Sequence, residues 1–218
     1  MKQQLIVCGT DTDVGKTVVS ALLTLGLGAH YWKPVQCGLE GGGDRDRVGR
    51  MLGLTAAQIE QRLLPEAYRF AAPVSPHWAA ELEGEHLERE RLDLPAVDGP
   101  LVVETAGGLL VPLRRDLMQI DQIQRWGLPV VLVARSGLGT LNHTLLSVEA
   151  LRSRQIPLLG LVLNGPPHAD NPGTLGELSG APLLGCLPPL PLLGAAALAE
   201  AWETSGLSSA LSSALGAP

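Results

Sequence analysis

The sequence predicts an α/β fold: a mostly parallel central sheet with helices on both faces, forming a single domain over residues 1–218. Three observations carry that expectation. Short β-branched and apolar runs alternate with helical patterns, as parallel strands joined by helical crossovers require. Several of those runs are apolar almost throughout, the mark of strands covered on both sides. Composition supplies the core, since 45% of residues are hydrophobic and only 17% charged, which also argues against disorder. Aromatics make up only 3%, so Leu, Val and Ala must fill that core.

The elements follow in order. A first strand at 5–8 sits in MKQQLIVCG, whose apolar run is too short for a signal peptide. A helix at 16–25 leads to a strand at 30–34, and a helix at 44–52 follows Gly41, Gly42 and Gly43. Residues 58–95 are the least regular, with a proline-containing loop at 72–76 and a charge run at 81–91 expected to be a solvated helix face. Beyond them lie strands at 101–104, 130–134, 158–164 and 183–186, and helices at 117–126, 141–154 and 195–207. The most membrane-like stretch, 182–199, contains Pro188, Pro189 and Pro191, so it reads as strand, loop and helix start rather than a membrane span.

Charge and cysteine content exclude several classes. A net charge of −6 and a pI of about 5.3 argue against a nucleic-acid or anionic-membrane surface. Cys8, Cys37 and Cys186 are odd in number and far apart, neither a disulfide framework nor a zinc pattern, and they suit a reducing cytoplasm.

The sharpest motif is Gly9-Thr10-Asp11-Thr12-Asp13-Val14-Gly15-Lys16-Thr17, placed after an apolar strand and opening a helix. That is the context of a P-loop, so the fold expected is that of the P-loop NTPases. Backbone N–H groups converge there on phosphates, and the helix N-terminus adds positive potential. Lys16 would reach the β- and γ-phosphates and the Thr17 hydroxyl would ligate Mg²⁺. Five residues separate Gly9 from Gly15 where the general pattern GxxxxGK[ST] has four.

Other candidates lie at strand ends, which face the ligand crevice in open parallel sheets. Glu104 closes Leu101-Val102-Val103-Glu104, where P-loop proteins supply a metal-side acid, although an exposed edge Glu fits the same pattern. Lys33 closes the second strand, where a surface Lys is the simpler reading. Asp44 and Asp46 offer a metal ligand and a helix N-cap without saying which is which. Gly107 and Gly108 would let backbone approach a ligand closely. Gly139, Thr140 and Asn142 precede an apolar-periodic run, and so read as an ordinary helix start or as an anion site.

Taken together these blocks resemble the dethiobiotin synthetase family. GTDTDVGKT matches that family's GTDTxVGKT, whose added residue accounts for the spacing. KPVQCG at 33–38, FAAPVSPH at 70–77, ETAGGLLVPL at 104–113, GLGTLNHTLLSVEAL at 137–151 and LVLNG at 161–165 follow in order. The resemblance implies an ATP-dependent cyclo-ligase that joins CO₂, drawn from bicarbonate, to 7,8-diaminopelargonate through a carbamate and a carbamic-phosphoric anhydride. It implies that Thr12, Asp13, Val14, Gly15, Lys16, Thr17 and Val18 hold ATP with Asn164 at the adenine edge. Thr17, Asp44 and Glu104 would hold Mg²⁺, Asp44 being chosen over Asp46 by the match of Val48-Gly49-Arg50. Thr12, Lys16 and Lys33 would act on the reacting groups. Cys37, Gly107, Gly108, Leu141 and Asn142 would line the substrate site, the last two from the neighbouring subunit of a homodimer. His143 is expected to pack at its helix start.

Three positions depart from the family pattern. Cys37 stands for Ser or Thr and donates more weakly. Thr105 stands for a Gly, and Asp13 for a Glu. A partner-binding switch ATPase of the same fold class is the competing expectation. Such proteins carry a second Lys early in the loop, as in KGGxxGKT, where this chain has Thr10, Asp11 and Thr12.

Overall fold

A computed structural model of the chain describes residues 3–216. Its first half runs β1 (Gln4–Gly9), α1 (Lys16–Gly26), β2 (His30–Trp32), β3 (Val35–Cys37), α2 (Asp44–Met51), α3 (Ala56–Arg62), β4 (Tyr68–Phe70) and α4 (Pro76–Leu82). A 3₁₀ turn at Arg89–Leu92 leads to β5 (Leu101–Gly108), β6 (Pro112–Arg114), β7 (Leu117–Met118), α5 (Gln119–Trp126) and β8 (Val130–Arg135). The chain ends with α6 (Thr140–Ser153), β9 (Leu158–Asn164), α7 (Asn171–Ser179), β10 (Leu183–Leu187), α8 (Ala195–Thr204) and α9 (Leu207–Ala214).

Six strands form the central sheet in the order β10-β9-β8-β1-β5-β2, every neighbouring pair parallel. The strand period of two sends Leu5 and Val7 to one face and Ile6 and Cys8 to the other, which is why LIVC is apolar throughout. The first face packs against Val19, Leu22 and Leu23 of α1, Leu198 of α8, and Leu207 and Leu211 of α9. The second packs against Ile120 and Ile123 of α5, Val148 and Leu151 of α6, and Leu175 of α7. Because all six strands run the same way, their C-terminal ends share one edge, and the chain order reverses beside β1. That is where ligands bind in such sheets. Among the described residues no helix is long and apolar enough to cross a membrane.

Several elements differ from expectation. The strand expected at 30–34 stops at Trp32, because Pro34 cannot donate to a ladder, and the chain resumes as β3 in a separate two-stranded sheet with β4. Lys33 thus lies at the junction of two sheets. The charge run at 81–91 is not a helix face. α4 ends at Leu82, Gly84 turns with φ +68, and the chain then buries Leu87 and Leu92 against Val35, Tyr68 and Phe70. The helix expected at 117–126 begins only at Gln119, since Leu117 and Met118 pair with β6. The helix expected at 195–207 divides at Gly206, whose φ of 81 is left-handed.

Candidate active site

A cavity of about 800 Å³ opens at the C-terminal edge of the sheet, between the loop after β1, the end of β5, the β2–β3 junction and α2. The loop is held in shape by local chemistry. Asp13 takes a left-handed φ of 55, uncommon for a side-chain-bearing residue, and Gly15 caps α1 with φ 94. Only glycine fits at 15, since a Cβ there would fall 2.0 Å from Asn164 Nδ2. Asn164 in turn donates to the Val14 carbonyl at 3.0 Å, tying β9 to the loop. On the other side Arg135 donates to Asp11 Oδ2 at 2.8 Å, while Asp11 Oδ1 accepts from the Thr12 amide.

Lys16 is buried and donates to the Asp11 carbonyl at 2.8 Å. Burial holds its pKa below the ordinary lysine value, against the pull of Glu104. The Thr17 hydroxyl donates to Glu104 Oε1 at 2.9 Å, so the first helical turn meets the middle of β5, which continues past the expected end at 104 to Gly108. Lys33 donates to the same oxygen at 3.2 Å and forms a buried ion pair with Asp44. Burial works against the Lys33 charge, but Glu104 and Asp44 outweigh it and its pKa is raised.

α2 sets its two aspartates in different places. Asp46 accepts from the Gly43 amide at 3.1 Å and so caps the helix, whereas Asp44, one residue into it, turns into the cavity. Gln36 accepts from the Asp44 amide at 3.0 Å and donates to the carbonyls of Cys37 and Gly38, fixing α2 against β3. Arg47 donates to the second Asp44 oxygen at 3.3 Å.

Of the residues singled out from the sequence, Thr12, Asp13, Gly15, Lys16, Thr17, Lys33, Cys37, Asp44, Glu104 and Gly107 all line this one cavity. Val14 instead points into the core, Val18 packs partly against it, and Gly108 lies behind the cavity wall in register with Gly9. Asn164 touches the loop from outside the cavity. Leu141 and Asn142 stand on α6 and contribute nothing to its walls. His143, expected to pack, is exposed in this chain. Thr105 is fully buried, and its hydroxyl has no hydrogen-bond partner among the described residues. Tyr31, Arg47 and Arg135 belong to no motif, and only their contacts reveal them; Gln36 stands in the KPVQCG block, which gives it no role. The Tyr31 hydroxyl donates to Glu104 Oε2 at 3.0 Å from 73 residues away. Burial and Glu104 push its phenol well above the ordinary tyrosine value, so it stays a donor.

A fixed amide loop, buried lysines and convergent carboxylates form an arrangement suited to a polyphosphate and a hard cation. Thr17, Asp44 and Glu104 offer only oxygen, the donor Mg²⁺ prefers. Among the described residues no cluster of three or more His, Cys, Asp or Glu could hold a metal alone. Two carboxylates and a hydroxyl nevertheless fit Mg²⁺, which takes few protein ligands and completes its shell with phosphate and water.

The comparisons with known proteins follow this chemistry. A family model described as an AAA domain matches residues 3–197. The ATP-dependent dethiobiotin synthetase BioD of Rhodopseudomonas palustris strain HaA2 is 52% identical over 202 residues, 93% of each chain. That of Novosphingobium aromaticivorans is 51% identical over 197 residues, 90% of this chain and 93% of the relative. Among solved structures, the septum site-determining protein MinD of Pyrococcus horikoshii OT3, complexed with Mg-ADP, aligns with a TM-score of 0.56 at 14% identity, covering 96% of this chain and 93% of that one. The pNOB8 ParA bound to nonspecific DNA aligns with 0.59 at 13%, covering 99% of each. At such identities these two likenesses establish the P-loop fold and no more. Full-length identity near one half is a different order of similarity, and by it the chain belongs to the family of ATP-dependent dethiobiotin synthetases.

Proposed function

We propose that this chain closes the ring of dethiobiotin from 7,8-diaminopelargonate and CO₂, using ATP and Mg²⁺. The observation that carries the proposal is the convergence of Lys16, Thr17, Lys33, Asp44 and Glu104 on one cavity beside the phosphate loop. The loop amides from Thr12 to Val18, with Lys16, hold the triphosphate, and Asn164 meets the adenine edge. Its Nδ2 is already directed at Val14, and its Oδ1 is the acceptor left for an exocyclic amine. Thr17, Asp44 and Glu104 hold Mg²⁺, which when bound supplies neutralisation of phosphate charge.

The rest of the cavity suits the second substrate. Lys33 and Thr12 face the reacting centre, and Cys37 and Gly107 border the diamine. One amine adds to CO₂ and loses a proton to give the carbamate, whose oxygen attacks the γ-phosphorus and releases ADP. The second amine then attacks the carbamoyl carbon, closes the cyclic urea and expels inorganic phosphate. Lys33 and Lys16 hold the anionic carbamate and the charge that shifts to the leaving β-phosphate oxygens. Fixed donors of this kind commonly contribute more to catalysis than any other single effect.

Leu141 and Asn142 lie outside this chain's own cavity, and in the proposed homodimer each subunit would bring them to the other's substrate site. Leu138, 99% exposed, and Leu146, 58% exposed, sit beside them as apolar surface that a second copy would cover. Full turnover by a species with the mass of one chain would contradict the shared site. The cytoplasm, where three unpaired thiols stay reduced, is the proposed compartment.

The chemistry has a direct isotopic test. Because the carbamate oxygen stays on phosphorus, ¹⁸O-labelled bicarbonate must deliver one label into each inorganic phosphate released. Unlabelled phosphate, formed before the bicarbonate has lost its label by exchange with water, would contradict attack by the carbamate.

A further inference from the structure

The two oxygens of Glu104 are unequally engaged. Among the described residues, Oε1 receives the Thr17 hydroxyl at 2.9 Å and the Lys33 ammonium at 3.2 Å, while Oε2 receives only the Tyr31 hydroxyl at 3.0 Å. Both Glu104 and Tyr31 are 0% exposed, so no water substitutes for that donor. The carboxylate is therefore clamped from behind by one residue and presented forward to two others.

Register explains why the clamp is a tyrosine. β2 pairs with β5 in parallel, with Tyr31 opposite Val102. Glu104 lies two residues beyond Val102 on the same face, a step of about 6.6 Å along the strand. A phenol rising from Tyr31 spans that step. Ser or Thr would fall short, and Phe would arrive without a donor. Pro34 and the end of β2 at Trp32 leave no further residue of that strand to do the work.

We infer that Tyr31 is a positioning residue of the metal site: it fixes Glu104 Oε2 so that Oε1 keeps its orientation toward Thr17 and a bound Mg²⁺. The inference rests on the proposed role of Glu104 as a metal-side ligand. Tyr31 itself meets neither nucleotide nor substrate, and it is absent from the cavity wall. Its effect belongs to the metal-dependent part of nucleotide binding alone. Residues in such outer contacts commonly change metal affinity by about 10- to 100-fold when altered.

The test compares ADP binding with Mg²⁺ and with EDTA by calorimetry, for the wild type, Tyr31→Phe, Glu104→Gln and the double variant. Tyr31→Phe is expected to weaken Mg-ADP binding at least about tenfold while leaving ADP binding in EDTA unchanged. In the Glu104→Gln background the same change should add nothing, because Tyr31 acts through that carboxylate. That double variant also leaves no carboxylate charge stranded in the core, so a folding defect of Tyr31→Phe alone would not block the comparison. Wild-type Mg-ADP affinity in Tyr31→Phe, or equal losses with and without Mg²⁺, would overturn the inference and leave Glu104 as assigned. A wild type whose ADP affinity ignores Mg²⁺ would instead remove the metal-site assignment, and the inference with it.

Discussion

Cys37 replaces a hydroxyl of the family pattern at the cavity wall, and its surroundings determine what a thiol can do there. Burial pushes its pKa up to about 11, against the lowering effect of Lys33. At pH 7 only about one molecule in ten thousand then carries the thiolate, the form that alkylates. Cys186 is exposed, with a smaller upward shift from burial, so it should react first. Labelling of Cys37, followed by peptide mass, is expected to accelerate about tenfold per pH unit between pH 7 and 10. Substrate should slow it there without slowing Cys186. Faster labelling of Cys37 than of Cys186 at pH 7 would contradict this environment. At this scale the sequence was informative where chemistry follows from local spacing. Lys16 and Thr17 belong to one loop and Lys33 follows the end of β2, whereas Glu104, expected to close its strand, lies midway along β5, which runs on to Gly108. Tyr31 and Arg47 stayed hidden because their roles depend on contacts across folded space, which no local pattern encodes.

Among elements, the packing of α8 on α1 turns on a single glycine. Gly26 ends α1, and a Cβ there would fall 2.3 Å from the Trp202 indole. Helix propensity alone favours Ala over Gly by about 1 kcal/mol. The indole is a rigid neighbour, and forcing it aside costs about 1–3 kcal/mol, as overpacking generally does. Gly26→Ala is therefore expected to lower the denaturant midpoint despite its better propensity. A raised midpoint would show that Trp202 yields freely. The central strands and their crossover helices were legible because apolar runs and helical periodicity repeat along the chain. The region 58–95 was not, since α3, α4 and β4 are too short to show a period. What holds it is a separate small core around Val35, Tyr68, Phe70, Leu87 and Leu92, assembled from residues distant in sequence.

Across the whole molecule, fold and chemistry come from different sources. The fold is shared with MinD and ParA proteins at 13–14% identity, so the scaffold by itself does not separate a ligase from a partner-binding switch. The distinction lies in what surrounds the loop. Lys33 comes from the β2–β3 junction, Asp44 from the start of α2 and Glu104 from β5, and together they line one cavity with the phosphate loop. A switch needs nucleotide and a protein surface, whereas the proposed ligase also needs this cavity to take a small molecule. The measurement that bears on this most directly is phosphate release from Mg-ATP with bicarbonate, with and without 7,8-diaminopelargonate, with product identified by mass. The account predicts release that depends on the diamine and matches dethiobiotin one for one. Nucleotide binding with release indifferent to the diamine, and no dethiobiotin, would contradict it.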